Sequence, residues 1–153
     1  MTSMLETQVF NVFNGFGQAY IYIWISKKHK VVYVGMTNGF TGTIGRASGH
    51  FNRRGQFRKR FTQYRGYEIN DVEDMVLLSF PLPKKQEFIS VERSYREAVE
   101  YLVQKGLIQI RGTLNPNFDI ISWVRDSPRV GNSEVRRLAR EIIDTFSLKY
   151  DNL

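Results

Sequence analysis

Residues 18–26, QAYIYIWIS, run through aromatic and β-branched side chains with no polar alternation. Such a run suits a strand buried on both faces better than an alternating, half-exposed one. The polar stretch Lys27-Lys28-His29-Lys30 follows, and residues 31–35, VVYVG, return as a second apolar strand. Two strands joined by so short a polar link read as an antiparallel hairpin. The chain must therefore fold around a hairpin whose first strand is covered on both sides.

The remaining elements are spaced around that hairpin. Residues 1–17 mix apolar and polar positions and end in Gly15 and Gly17, a turn-rich approach to the first strand. Residues 37–45 are rich in glycine and threonine and read as a loop. A helical stretch is expected from Ile44 to about Phe61, broken or re-capped near Gly49 and Gly55. A third strand follows at 75–80, MVLLSF, stopped by Pro81 and Pro83. The strongest helix signal begins near Lys85: Phe88, Val91, Tyr95, Ala98, Val99, Leu102 and Val103 recur at steps of three and four and form one stripe. Gly106 is the expected stop, and residues 107–117 close in Asn-Pro-Asn turn chemistry. Asn132-Ser133 then caps a last helix over about 133–148, with Val135, Leu138, Ile142, Ile143 and Phe146 on its apolar face.

A chain of 153 residues is one domain's worth, and an apolar content of 42% supplies a packed interior. Lys and Arg number 22 against 15 Asp and Glu, for a net charge of +7. That excess favours nucleic acid or another anionic surface as partner. Cysteine is absent, which excludes disulfides and thiolate metal sites and permits an intracellular (cytoplasmic) home. The N-terminal residues lack a basic start and an uninterrupted apolar stretch, so no secretory signal is expected. No apolar run approaches the roughly 20 residues that span a bilayer, so no membrane partner is expected.

Hydrolysis of a phosphodiester needs a base for the attacking water, a cation for the developing charge and, as a rule, a metal ion. Tyr20-Ile21-Tyr22 and Val32-Tyr33-Val34-Gly35 are followed by Arg46 and His50, four residues apart. In this order and spacing the segments resemble the GIY-YIG nuclease family. By that resemblance Tyr22 takes the place of the first motif's tyrosine, Tyr33 and Gly35 fill the second motif, and Thr37 stands where the family favours small or hydroxylated residues. Tyr20 stands where the family has glycine. Arg46 and His50, at i and i+4, share one helix face. The arginine fork suits a phosphate, and the histidine suits proton transfer or phosphate contact. The run NRRGQFRKRF places Arg53, Arg54, Arg58, Lys59 and Arg60 nearby as a phosphate-backbone track.

The resemblance also implies a glutamate on a later helix to hold Mg²⁺ or Mn²⁺, a hard ion with oxygen ligands. Glu92, Glu97 and Glu100 compete for it. At 100° per residue Glu92 falls roughly 50° from the centre of the apolar stripe, and Glu97 and Glu100 roughly 170° and 130° away. Because a catalytic carboxylate must project toward the sheet, Glu92 is the expected ligand and Glu100 the second choice. The family's later asparagine would instead pair Asn115 with Glu100, and the choice between Asn115 and Asn117 stays open.

The expected fold is thus α+β: a small, mainly antiparallel three-stranded sheet flanked by helices. Residues 18–118 would form the nuclease-like domain, 1–17 an N-terminal extension and 119–153 a C-terminal extension whose helix packs on it. The resemblance implies metal-dependent endonucleolytic hydrolysis of DNA. Tyr22 would be the base, helped by a hairpin cation such as Lys30; Tyr33 would position the water or phosphate; Arg46 would stabilise charge. A homodimer would supply a second site for the second strand. The rival reading is a catalytically inactive nucleic-acid-binding module on the same scaffold, and a third is a protein-interaction domain whose basic surface is incidental.

Overall fold

The computed structural model describes residues 3, 4, 6, 15–52 and 54–153. Most of the expected N-terminal extension, and Arg53 of the basic run, lie outside the described residues. The hairpin forms as expected: β1 (Tyr20–Ser26) pairs antiparallel with β2 (Val31–Thr37), with Lys30 in the left-handed region at φ 53° in the turn. Helices α1 (Gly42–Phe51) and α2 (Gln56–Arg65) follow, broken around Gly55. Then come β3 (Val76–Pro81), a single turn α3 (Gln86–Ile89), the long α4 (Ser94–Ile110), β4 (Asp119–Ile120) and α5 (Ser133–Asp151).

The sheet has four strands in the order β3-β1-β2-β4, not three. β1 is central and antiparallel to both β2 and β3, while β4 runs parallel to β2 through Val31 and Val32. At two residues, β4 is too short to leave any periodic signal in the sequence. Arg65 at the end of α2 pins it: Nη1 donates to Asp119 Oδ2 at 2.8 Å and Nη2 to the Lys30 carbonyl at 2.9 Å.

Burial on both faces of β1 is real, and it divides the interior in two. Ile21, Ile23 and Ile25 point into one core with Val99, Val103 and Leu107 of α4 and Val135, Leu138 and Phe146 of α5. Tyr22 and Trp24 point the other way, into a second core with Tyr33, Phe57 and Phe61 under α1 and α2. Burying each isoleucine contributes about 1.5–3 kcal/mol, so the hairpin is anchored from both sides.

Helix α1 starts at Gly42, inside the expected loop, α2 runs on to Arg65, and both ends of the long helix differ from expectation. The long helix starts at Ser94 rather than near Lys85, because the chain turns extended at Ser90, whose ψ is 169°. Arg96 sits in the break and donates to the carbonyls of Phe88 at 2.9 Å and Ser90 at 2.7 Å. Val91, assigned to the apolar stripe, is 95% exposed. Gly106 does not end the helix. It lies at the crossing with α5, where a side chain would collide with Ile143. Asn132 caps α5 as expected, its side-chain oxygen accepting from Val135 N at 3.1 Å. Among the described residues no helix is long and apolar enough to cross a membrane.

Candidate active site

The sheet register places the two motif tyrosines. Tyr22 lies opposite Gly35, and Tyr33 opposite Trp24, so both rings stand on the sheet face covered by α1. The Tyr22 ring crosses directly over Gly35, where a β-carbon would overlap the phenol. This explains the glycine of the second motif by close approach alone.

Helix α1 brings Arg46 and His50 onto that face one turn apart, as their spacing predicts. Tyr22 Oη is 2.6 Å from His50 Nε2. The His50 ring, 2% exposed, also meets Tyr33 edge-to-face with centroids 4.9 Å apart. Arg46 hydrogen-bonds the same phenol oxygen. A guanidinium can only donate, so the Tyr22 oxygen accepts from Arg46, and its own proton is available to His50 Nε2 in the tautomer protonated at Nδ1. His50 Nδ1 is buried and has no partner among the described residues.

Burial and, secondarily, Arg46 push His50 down to about 4, so it is neutral near pH 7. Burial pushes the Tyr22 phenol up, and the hydrogen bond from Arg46 opposes it. Burial likewise raises Tyr33. The cation acting on Tyr22 is therefore Arg46. Lys30, expected to help, stands in the hairpin turn, where its carbonyl holds Arg65.

A carboxylate that acts on this cluster is that of Glu100, the second choice from the sequence. Where β4 stops, side chains continue the edge of β2: Val34 N donates to Ser122 Oγ at 3.0 Å, and Gln104 Nε2 reaches the Val34 carbonyl at 3.4 Å. Gln104 Nε2 also donates to Glu100 Oε1 at 3.1 Å, one turn earlier on α4. Glu100 interacts electrostatically with Tyr22, Tyr33 and Arg46. Burial, and after it the neighbouring carboxylate of Glu97, push Glu100 up to about 7, against the pull of Arg125 and Arg93.

Glu92 does not reach this cluster. It precedes α4, its side chain is 64% exposed, and it pairs with Arg129 at 3.8 Å and accepts from Ser94 Oγ. The geometry assumed for helix facing differs from the structure in two respects. Residue 92 is not on the helix whose stripe set the angle, and α4 packs against the sheet face opposite to Tyr22. A carboxylate on the flank of α4 reaches the site around the sheet edge, whereas one at the centre of the stripe would be buried under the wrong face.

The other expected residues divide. Thr37 lines a cleft of about 310 Å³ together with Arg46. Arg60 acts electrostatically on Tyr33. Arg54 and Lys59 line a separate groove of about 550 Å³ on α2. Arg58 is committed to the fold, donating to the carbonyls of Phe51 at 2.8 Å and Ile69 at 2.7 Å. Asn117 lies at the hairpin-turn end, beside His29 and Lys30.

The sequence reading missed Trp123 and Arg125, which line a cavity of about 140 Å³ beside Glu100. Both sit in a stretch without regular structure, so no periodicity marked them.

The sequence model of the GIY-YIG catalytic domain matches residues 18–101, more than half of the chain. The chain belongs to the GIY-YIG family. No curated protein and no solved structure gives a significant match. The matched segment carries Tyr22, Tyr33, Arg46, His50 and Glu100. A GIY-YIG domain is a nuclease domain with DNA as its implied substrate, and nucleases of this family generally use divalent metals.

The residues present fit such an ion. No group of three or more His, Asp or Glu converges among the described residues, so the chain itself offers no closed cage. Mg²⁺ needs none, because it is commonly held by one or two carboxylates with water and substrate phosphate completing its shell. Glu100 is a hard oxygen donor whose ionised form is opposed by burial and by Glu97, a cost that a cation at the carboxylate would relieve.

Proposed function

We propose that this GIY-YIG domain is a divalent-metal-dependent endonuclease that hydrolyses DNA phosphodiesters. The observation that carries this reading is the Tyr22 Oη–His50 Nε2 hydrogen bond of 2.6 Å, with Arg46 on the same oxygen.

Tyr22 alone is a poor base, because its neutral form is favoured by burial. Coupled to His50 it need not hold the negative charge. As the attacking water gives its proton to Tyr22 Oη, the phenolic proton moves to His50 Nε2, and the water oxygen bonds to phosphorus while the bond to the opposite ester oxygen breaks. That oxygen leaves with the electron pair and takes a proton from solvent. The phosphate that engages Arg46 also cancels part of the repulsion holding His50 down, so the imidazole becomes a better proton acceptor when substrate is bound. Arg46 donates to the phosphate oxygens as their charge grows. Tyr33 orients the water or a phosphate oxygen, and Thr37 and Arg60 contact the backbone on either side. Glu100 would hold the Mg²⁺ or Mn²⁺, which when bound supplies positive charge to the phosphate and the leaving oxygen. With one such cluster per chain, cutting both strands takes two copies or two successive events.

The test is plasmid cleavage with Mg²⁺ or Mn²⁺ against the same reaction in chelator. Cleavage only with metal, falling at least about tenfold in Arg46→Lys with the fold intact, is the expected result. Salt-dependent DNA binding without cleavage in either condition would leave a binding module on the same scaffold.

A further inference from the structure

Trp123 is 62% exposed, although indole is among the side chains that gain most from burial. It is not on a loose loop. Ser122 before it is buried between β2 and α4 through Val34 N at 3.0 Å, and Ser127 after it donates from Oγ to the Ser94 carbonyl at 2.9 Å. The indole is thus held out at the rim of the cavity that contains Glu100. Arg60 lies over its ring, 4.9 Å from the centroid, and the same Arg60 acts on Tyr33. Arg125 and Arg93 line the same cavity. A flat aromatic surface, fixed in place and surrounded by guanidinium groups beside a phosphate-cleaving cluster, has the chemistry of a base-stacking platform with cations for the flanking phosphates. Trp123 lies beyond residue 101, where the family match ends, so it is a feature of this chain's own C-terminal segment.

We propose that Trp123 stacks an unpaired or extruded nucleobase next to the scissile phosphate, so that the enzyme favours DNA with an unstacked base over fully paired duplex. This rests on the nuclease reading for the position of the scissile phosphate, while the stacking is measured without cleavage. Every base has a π-face, so the preference does not depend on base identity; it depends on a base being free to leave the helix.

The experiment uses the full chain in chelator with three labelled probes of one sequence: a perfect duplex, a duplex with a one-nucleotide bulge, and the same bulge with an abasic residue. Wild type should bind the base-containing bulge about tenfold more tightly than the other two, a typical size for one base–aromatic stack. Indole emission should be quenched only in that complex. Trp123→Ala should erase the preference, and Trp123→Phe should keep most of it. Equal binding of all three probes by wild type, or a preference that persists in Trp123→Ala, overturns the proposal. Plasmid cleavage in metal is scored separately. Cleavage without the bulge preference sinks the stacking and leaves the nuclease; the preference without cleavage does the reverse.

Discussion

The phenol of Tyr22 lies across the α-carbon of Gly35, its cross-strand partner, in the space a β-carbon would fill. The same oxygen is held 2.6 Å from His50 Nε2. Gly35→Ala should therefore push the ring away from His50. The expected outcome is loss of cleavage by at least about tenfold together with a destabilisation of about 1–3 kcal/mol, typical of overpacking. Cleavage assays and denaturant melts measure both, and full activity in a folded variant would mean that the Tyr22–His50 contact is dispensable.

His50→Gln separates hydrogen bonding from proton uptake. Glutamine still offers the phenol an acceptor but cannot take its proton. Cleavage should fall about 100-fold, at the low end of what a general base contributes, with DNA affinity unchanged. An active His50→Gln enzyme would assign the histidine a purely positioning role.

Glu100→Gln should abolish metal-dependent cleavage, and Glu92→Gln should leave it near wild type. The substitution also has a stability signature. Glu100 is raised from its ordinary carboxylate value to about 7 in the folded metal-free protein. Its contribution is therefore fully present below the unfolded value near 4.5 and lost as pH rises through about 7. At pH 8 without metal, Glu100→Gln should be more stable than wild type by on the order of 3 kcal/mol. At pH 4 the difference should vanish. His50 works in the opposite direction, its contribution being lost as pH falls from 6.5 toward 4. Melting curves at the two pH values in chelator measure the difference, and equal stability of the two proteins at pH 8 would place Glu100 in water.

The arginines of the basic run should not behave alike. Arg58→Ala removes two hydrogen bonds to backbone carbonyls, so it should lower the melting temperature, each charged bond contributing about 1.5–3 kcal/mol. Neutralising Arg54 and Lys59 should leave stability unchanged. If both contact phosphates, the salt dependence of DNA binding should flatten by about 0.9 per contact. An unchanged slope would put the DNA on another surface.

What the sequence disclosed, and what it hid, follows from which elements carry the candidate site residues. Tyr22, Tyr33, Arg46 and His50 sit on a regular hairpin and a regular helix, where spacing alone decides which side chains share a face. The glutamate depended on the phase of a longer helix, and the break at Ser90 removed residue 92 from that helix altogether. Facing also takes no account of the sheet edge, along which Glu100 stands beside Gln104. Trp123 left no pattern, since its position depends on Ser122 bridging two elements that the sequence separates by dozens of residues. Arg58 and Arg60 are two residues apart in one basic run, yet one holds carbonyls and the other lies over an indole. Composition cannot tell them apart.

The contact of Gly106 with Ile143 bears on how far this domain can be cut down or recombined. A fragment limited to residues 18–101 would end inside α4, lose Gln104 and Ser122 from the β2 edge, and strip α5 from Val99 and Val103. The stretch that names the family is thus not a portable cartridge. Grafting this candidate site onto another protein requires carrying the chain through α5, and a fusion joined at residue 101 should yield aggregate instead of folded protein.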